Sequence, residues 1–207
     1  MKTPLRYQFT GHDCGTATME NALSYMIRRE HFPPELLHYT YNFLLDGYTK
    51  QGWGFFGTSH EALKFFASWL KEYFNQHSHF KMNIELYTNE EVSLDFIKAK
   101  FLEHAKDKIS VVVYCNDWWG HYVLVTGFTK EGDVKIFDCF YRDKVIPSIE
   151  TPYTIVNDHP CEYNRIIPAA SFDSTDMKVN FSLGPLTERD ALFLIKAGIT
   201  RKKKNKR

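Results

Sequence analysis

The sequence has no run of 18 uninterrupted apolar residues, which excludes a single-pass membrane helix. Met1 to Thr10 holds no apolar core of the kind a secretory signal needs. Cysteine is sparse and scattered: Cys14, Cys115, Cys139 and Cys161 are too few and too far apart for a disulfide scaffold. With no export signal, reduced thiols and a cytoplasmic protein are expected. Gly-x-Gly-x-x-Gly, a phosphate loop and an RNA-binding aromatic motif are all missing. No Cys-x-x-Cys or His-x3-His spacing supports a metal site, although His12, Cys14, Cys115 and His121 are all potential ligands. No metal and no cofactor are therefore expected. Glycine (11) and proline (8) are too rare for a collagen-like or low-complexity chain.

What remains is 207 residues with ordinary proportions of apolar (43%) and charged (25%) side chains. A chain of that length buries enough surface to form a core without staples. The formal charge of +1 hides an asymmetry, because six of the 26 basic residues lie in positions 201–207. The rest of the chain is mildly acidic, and a nucleic-acid-binding body needs a broad basic face. The expectation is one domain over 1–200, a basic disordered tail over 201–207 and no nucleic-acid partner.

Apolar spacing predicts helices from about Cys14 to Arg29, broken by Pro33 and Pro34, and from about Glu35 to Leu45. Thr58-x-x-Glu61 and Thr88-x-x-Glu91 have capping-box spacing ahead of two more helices. Met82, Ile84 and Leu86 alternate with polar residues, as a half-buried strand does. Strands follow at Val111–Tyr114, His121–Phe128 and Val134–Phe140, the last two joined by a turn at Glu131-Gly132-Asp133. Thr187 to Ala197 reads as a final helix closed by Gly198. The fold class is α+β, with N-terminal helices packed on an antiparallel sheet.

The chemistry gathers around Cys14, which sits at the start of the first helix. Unpaired N–H groups and the helix dipole favour a thiolate there. Gln8, six residues upstream, could donate to an oxyanion together with the Cys14 N–H. Asp13 is placed to cap the helix. His121 shares a strand face with Val123 and Val125, and the next strand puts Val134, Ile136 and Asp138 on one face. His121 and Asp138 can thus be neighbours, with Asp138 orienting the imidazole toward the thiol. Cys139 should face the other way and pack, and Cys115, at a strand end near the His121 loop, should pack as well.

Gln8-x5-Cys14 within Asp13-Cys14-Gly15, Gly120-His121-Tyr122-Val123-x-Val125-x-Gly127-Phe128 and Phe137-Asp138 resemble the bacteriocin-processing cysteine peptidases. These belong to the papain-like superfamily and remove double-glycine leaders. The resemblance covers about Tyr7 to Arg28 and Val111 to Tyr141. It implies a papain-like fold, with Cys14 as nucleophile, His121 as base, Asp138 as the orienting carboxylate and Gln8 as the oxyanion-hole amide. Thr16 and Cys139 stand where that family often has proline, and the catalytic set is intact. The implied activity is that of a peptidase or amidase working through an acyl-enzyme. The same triad serves acyl transfer to an amine in the similar butirosin-type acyltransferases. A non-catalytic peptide-binding module on this fold is the alternative from another class. The partner is a peptide or acyl donor, free or on a carrier protein.

Around the Gly47–Gly57 loop the aromatics have two readings. Trp53, Phe55 and Phe56 either tuck into the core, the bland expectation, or, with Trp53 and Phe55 foremost, line a substrate cleft. Trp118 and Trp119 precede His121 and would shield it from water.

Overall fold

The computed structural model describes residues 2–77, 81–117, 119–144 and 152–197. Trp118, Gly198 and the basic tail lie outside the described residues. Three long helices come early: α1 (Cys14–Met26), α2 (Pro34–Leu44) and α3 (His60–Gln76). A two-stranded ribbon, β1 (Tyr48–Thr49) and β2 (Gly52–Trp53), lies in the loop between α2 and α3. Then follow β3 (Met82–Thr88), α4 (Leu94–Glu103), β4 (Lys108–Asp117), β5 (Trp119–Phe128) and β6 (Val134–Phe137). Last are β7 (Thr154–Ile155), β8 (Arg165–Ile167), the single turn α5 (Ala169–Phe172) and β9 (Asp190–Lys196).

Seven strands make one antiparallel sheet in the order β3-β9-β4-β5-β6-β8-β7. Its two faces are separate cores. Val112, Tyr122, Leu124, Phe137, Leu192 and Leu194 join α1, α2 and α3 on one side. Val111, Val113, Val123, Val125, Ile136 and Phe193 join α4 and Phe172, Phe181 and Leu183 on the other. Burial on both faces explains why the central strands read as unbroken apolar runs. The α+β class with helices on an antiparallel sheet is as expected. Among the described residues no helix is long and apolar enough to cross a membrane.

The predicted helix at Thr187–Ala197 is wrong. Leu186–Glu188 is one 3-10 turn, and Asp190–Lys196 is β9, hydrogen-bonded between β3 and β4. Ala191 to Ile195 are all buried, and an apolar run this short has no period that separates helix from buried strand. Pairing on both edges decides it. The two capping boxes are displaced too. Ser59 caps α3, accepting from Ala62 N at 3.0 Å, and Ser93 caps α4, accepting from Phe96 N at 3.1 Å. The predicted Glu131–Asp133 turn is present, with Gly132 at φ +94° and Thr129 N donating to Asp133 O at 2.8 Å.

Candidate active site

Cys14 is the first residue of α1, and its surroundings are fixed at three points, one of them on the sheet. Thr18 Oγ1, one turn on, donates to Tyr122 O at 2.9 Å and ties the helix to β5 beside His121. Gly15 is forced to be glycine, since a Cβ there would lie 2.3 Å from Thr58 Oγ1. Gly57, at φ +76°, lets its loop run against the His12 carbonyl. Asp13 does not cap α1. Its carboxylate instead accepts from Phe9 N (3.0 Å) and Thr10 N (2.7 Å), closing the loop that leads into the helix.

The His121 imidazole is near enough to the Cys14 thiol for each to act on the other's ionisation. Burial works against the Cys14 thiolate, but the hydrogen bond and charge of His121 and the backbone N–H groups of Tyr122 and Gly15 outweigh it and hold the thiol below its ordinary value. Burial likewise opposes the imidazolium. Asp138 and Cys14 overcome that and push His121 up to about 10. These opposed shifts favour a thiolate–imidazolium pair.

His121 Nε2 donates to Asp138 Oδ1 at 2.9 Å, and Phe140 N donates to the same oxygen at 2.8 Å. The Asp138 main chain is gripped by one side chain: Asp138 N donates to Asn164 Oδ1 (2.7 Å), and Asn164 Nδ2 donates to Asp138 O (2.8 Å). Asp138 Oδ2 has no hydrogen bond but lies 3.7 Å from the guanidinium of Arg165, which is itself fully buried. Arg165 is held by the carbonyls of Asn164 (2.8 Å) and Arg142 (3.2 Å), and Arg142 pairs with buried Asp117. Asn164 and Arg165 are thus part of the support for the triad. Sequence reasoning missed both, because they sit in a stretch with no periodicity. A buried Asn-Arg pair opening the short apolar run Ile166-Ile167 is the only local signal.

Gln8 lies next to the nucleophile. Its N–H donates to Cys139 O (2.9 Å), and its Oε1 accepts from Cys139 Sγ (3.2 Å), which is itself 3.6 Å from the Cys14 carbonyl. The Gln8 amide N–H donates to Thr10 O at 2.6 Å, so it must turn from that carbonyl to reach an oxyanion. Cys139 is buried against the start of α1, its sulfur also within 4.8 Å of a ring nitrogen of His121 and an oxygen of Asp138, and burial pushes its thiol up. Cys115 does not end its strand. It is paired across from His121 inside β4, fully buried, and its thiol is also pushed up by burial.

The bland expectation for the Gly47–Gly57 loop is overturned. Trp53 and Phe56 are about three-quarters exposed (75% and 76%), and Phe55 is 43% exposed, its ring 5.6 Å from that of His12. Trp119, at the β4–β5 tip, is 85% exposed and does not shield His121. Three glycines in the loop are at positive φ (Gly52, Gly54, Gly57), and its only regular element is the two-residue ribbon in which Trp53 packs on Tyr48. The structure brings Cys14, His121, Asp138 and Gln8 together and leaves Trp53, Phe55 and Trp119 exposed, with Phe55 against His12 and Trp53 against Tyr48. Trp118 lies outside the described residues.

Among the described residues one group of side chains could hold a metal ion, His121, Asp138 and Cys139, all buried. The Nε2–Oδ1 hydrogen bond already accounts for two of them. A cavity of about 480 Å³ opens at the other end of α1, lined by Lys2, Ser24, Tyr25, Met26, Arg28 and Lys108. It contains no member of the triad. Comparison with protein-family models, with curated proteins and with solved structures found no match.

Proposed function

We propose that this chain is a papain-like cysteine enzyme that hydrolyses an amide or thioester through an acyl-enzyme on Cys14. The observation that carries this reading is the His121 imidazole held by buried Asp138 at 2.9 Å, with the Cys14 thiol near enough for His121 to lower its pKa. The motifs around Gln8, Cys14, His121 and Asp138 that resemble the bacteriocin-processing peptidases support it. The reading also takes residues 1–200 as one domain of a cytoplasmic protein.

Each residue then has a step. The Cys14 thiolate attacks the carbonyl carbon, and the negative oxygen is received by the Cys14 N–H at the helix start and by the Gln8 amide. His121 gives its proton to the leaving amine or thiolate as the bond to carbon breaks. It then takes a proton from water, whose oxygen attacks the thioester and releases the carboxylic acid and the Cys14 thiolate. Asp138 keeps one imidazole nitrogen occupied, so the other faces sulfur. An amine in place of water turns the second half-reaction into acyl transfer.

p-Nitrophenyl acetate tests the reading. The expected result is a burst of p-nitrophenolate matching the enzyme concentration, an acetyl group on the Cys14 peptide by mass spectrometry, and its slow loss as acetate. Repeating the experiment with a primary amine separates hydrolase from transferase by the appearance of the acetamide. A Cys14 that acquires no acetyl group at neutral pH refutes catalysis and leaves the peptide-binding module in its place.

A further inference from the structure

A second histidine–carboxylate pair lies on the helix side of the sheet. His60 is the first residue of α3, two positions after the Thr58 that touches Gly15. Its Nδ1 is hydrogen-bonded to Asp190 Oδ2 at the start of β9. Asp190 is 2% exposed, and a buried carboxylate demands a partner. The carboxylate in turn favours the imidazolium, whose pKa is raised. The His60 side chain is 36% exposed, and among the described residues its Nε2 has no hydrogen-bond partner. Glu61 and Lys64, its charged neighbours on α3, pair with each other at 3.4 Å.

Tyr114 connects this pair to the catalytic residues. Its ring lies edge-on to His60, with centroids 4.8 Å apart. Its hydroxyl lies over Gly120, the residue before His121, so closely that a Cβ there would be 1.9 Å away. Any residue but glycine at 120 would displace that hydroxyl. Burial, aided by Glu188, Cys115, Cys14 and Asp190, pushes the Tyr114 hydroxyl up to about 12, so it remains a donor throughout the working pH range. The His60 imidazolium and the Tyr114 hydroxyl thus offer two donors, the second of them against the residue before His121. The exposed Glu188 carboxylate also acts on Tyr114, and Glu61 and Lys64 flank His60 with opposite charges. A few fixed polar groups among aromatics is how small-molecule and peptide sites set specificity.

We propose that His60 and Tyr114 form a subsite for a carboxylate of the substrate, a few bonds from the carbonyl that Cys14 attacks. The proposal rests on the acyl-enzyme reading above and narrows its substrate class to acyl groups or peptides bearing an anionic group at that position. Asp190 is a positioning residue, which holds the imidazole in place and charged.

The test uses two alkylating probes of the same size, N-bromoacetyl-glycine and its neutral amide N-bromoacetyl-glycinamide, with the full chain. The readout is the ratio of their rates at Cys14, followed by peptide mass spectrometry. His60→Gln keeps a donor toward Asp190 and removes the charge, and His60→Lys keeps the charge. The expected result is a ratio that falls about tenfold in His60→Gln, as the loss of a charge-assisted hydrogen bond predicts, and recovers in His60→Lys. The neutral probe's rate should stay the same in all three. Tyr114→Phe should lower the ratio by a smaller factor. A general loss of packing would slow or speed both probes together, so a change in ratio is not explained by folding. A ratio untouched by His60→Gln overturns the subsite and leaves the Cys14 chemistry standing. A wild-type Cys14 that reacts with neither probe overturns the acyl-enzyme reading and the subsite with it.

Discussion

Replacing His121 by alanine should change the ionisation of Cys14 more than any other single substitution. In the intact protein His121 is pushed up to about 10, so its imidazole is mostly protonated at pH 7. The thiolate therefore has a cation beside it over the whole neutral range. The alkylation rate of Cys14 should rise at a pH below the ordinary thiol value and then level off. It should rise again near pH 10, when the imidazolium loses its proton and frees a more nucleophilic thiolate. In His121→Ala the backbone donors of Tyr122 and Gly15 are left alone against burial, which is the largest influence on this thiol. A charge-assisted hydrogen bond contributes about 1.5–3 kcal/mol. At 1.36 kcal/mol per tenfold, its loss shifts the thiol equilibrium by about 10- to 100-fold. Iodoacetamide at pH 6 should then label Cys14 slower by that factor, and the profile should show one step in place of two. Peptide mass spectrometry gives the rates site by site. Cys115 and Cys139 are fully buried and should stay unlabelled, and Cys161, which lines the cavity at the far end of α1, is the internal reference. A wild-type onset for Cys14 that coincides with that of Cys161, or a profile that His121→Ala leaves unchanged, refutes the ion pair.

Gln8→Ala should lower turnover of p-nitrophenyl acetate by about 10²–10³-fold with little change in the denaturation midpoint, as expected for one oxyanion donor. Full turnover would remove Gln8 from the mechanism. Thr18→Val removes a buried donor and leaves Tyr122 O short of a partner, so urea denaturation should show a loss of about 1–3 kcal/mol. A neutral result would mean that α1 is not latched to β5 by this contact. Asp138→Asn should abolish turnover and also destabilise the fold by about 3 kcal/mol, because the Arg165 guanidinium loses its buried counter-charge 3.7 Å away. An inactive variant of unchanged stability would show that Arg165 is neutralised by its carbonyl partners alone. Gly15→Ala should reduce soluble yield and lower the melting temperature, since Thr58 is pinned to the Leu44 carbonyl and cannot give way.

Much of this arrangement is legible in the residues before any coordinate is known. Alternation along His121–Val125 and Val134–Asp138 puts His121 and Asp138 on one face, and both strands deliver them there. Short-range cues were less dependable. Thr58 and Thr88 have the right spacing for capping boxes, yet Ser59 and Ser93 hold the caps, because a hydroxyl one residue away competes for the same N–H. Asp13 looks like a helix cap and instead ties up the loop before it. Asp190 to Lys196 was illegible for a different reason. Its identity as a strand depends on β3 and β4, more than 75 residues away in the chain, and no window of seven residues contains that information.

The meeting of Cys14 with His121 is the step that local pattern cannot supply. Cys14 starts a helix that packs on the face built from Val112, Tyr122 and Leu124. By strand alternation His121 belongs to the opposite face, with Cys115 across from it and Val123 beyond it. Side chains on opposite faces of a sheet do not touch through its middle. They can meet only where the sheet runs out, and here β6 stops at Phe137, just before Asp138. The main chain of Asp138 is then held by the Asn164 side chain in place of a strand partner, and its second carboxylate oxygen faces Arg165. The end of β6 is therefore the element that makes the triad possible, and the segment around Asn164 and Arg165 is what keeps that end from fraying. It follows that Asn164→Ala, which touches neither the thiol nor the imidazole, should lower the second apparent ionisation of the Cys14 profile, the one belonging to His121, by letting Asp138 drift. Normal His121 behaviour in that variant would place the control of Asp138 elsewhere, in the Phe140 N–H and the Arg165 charge alone.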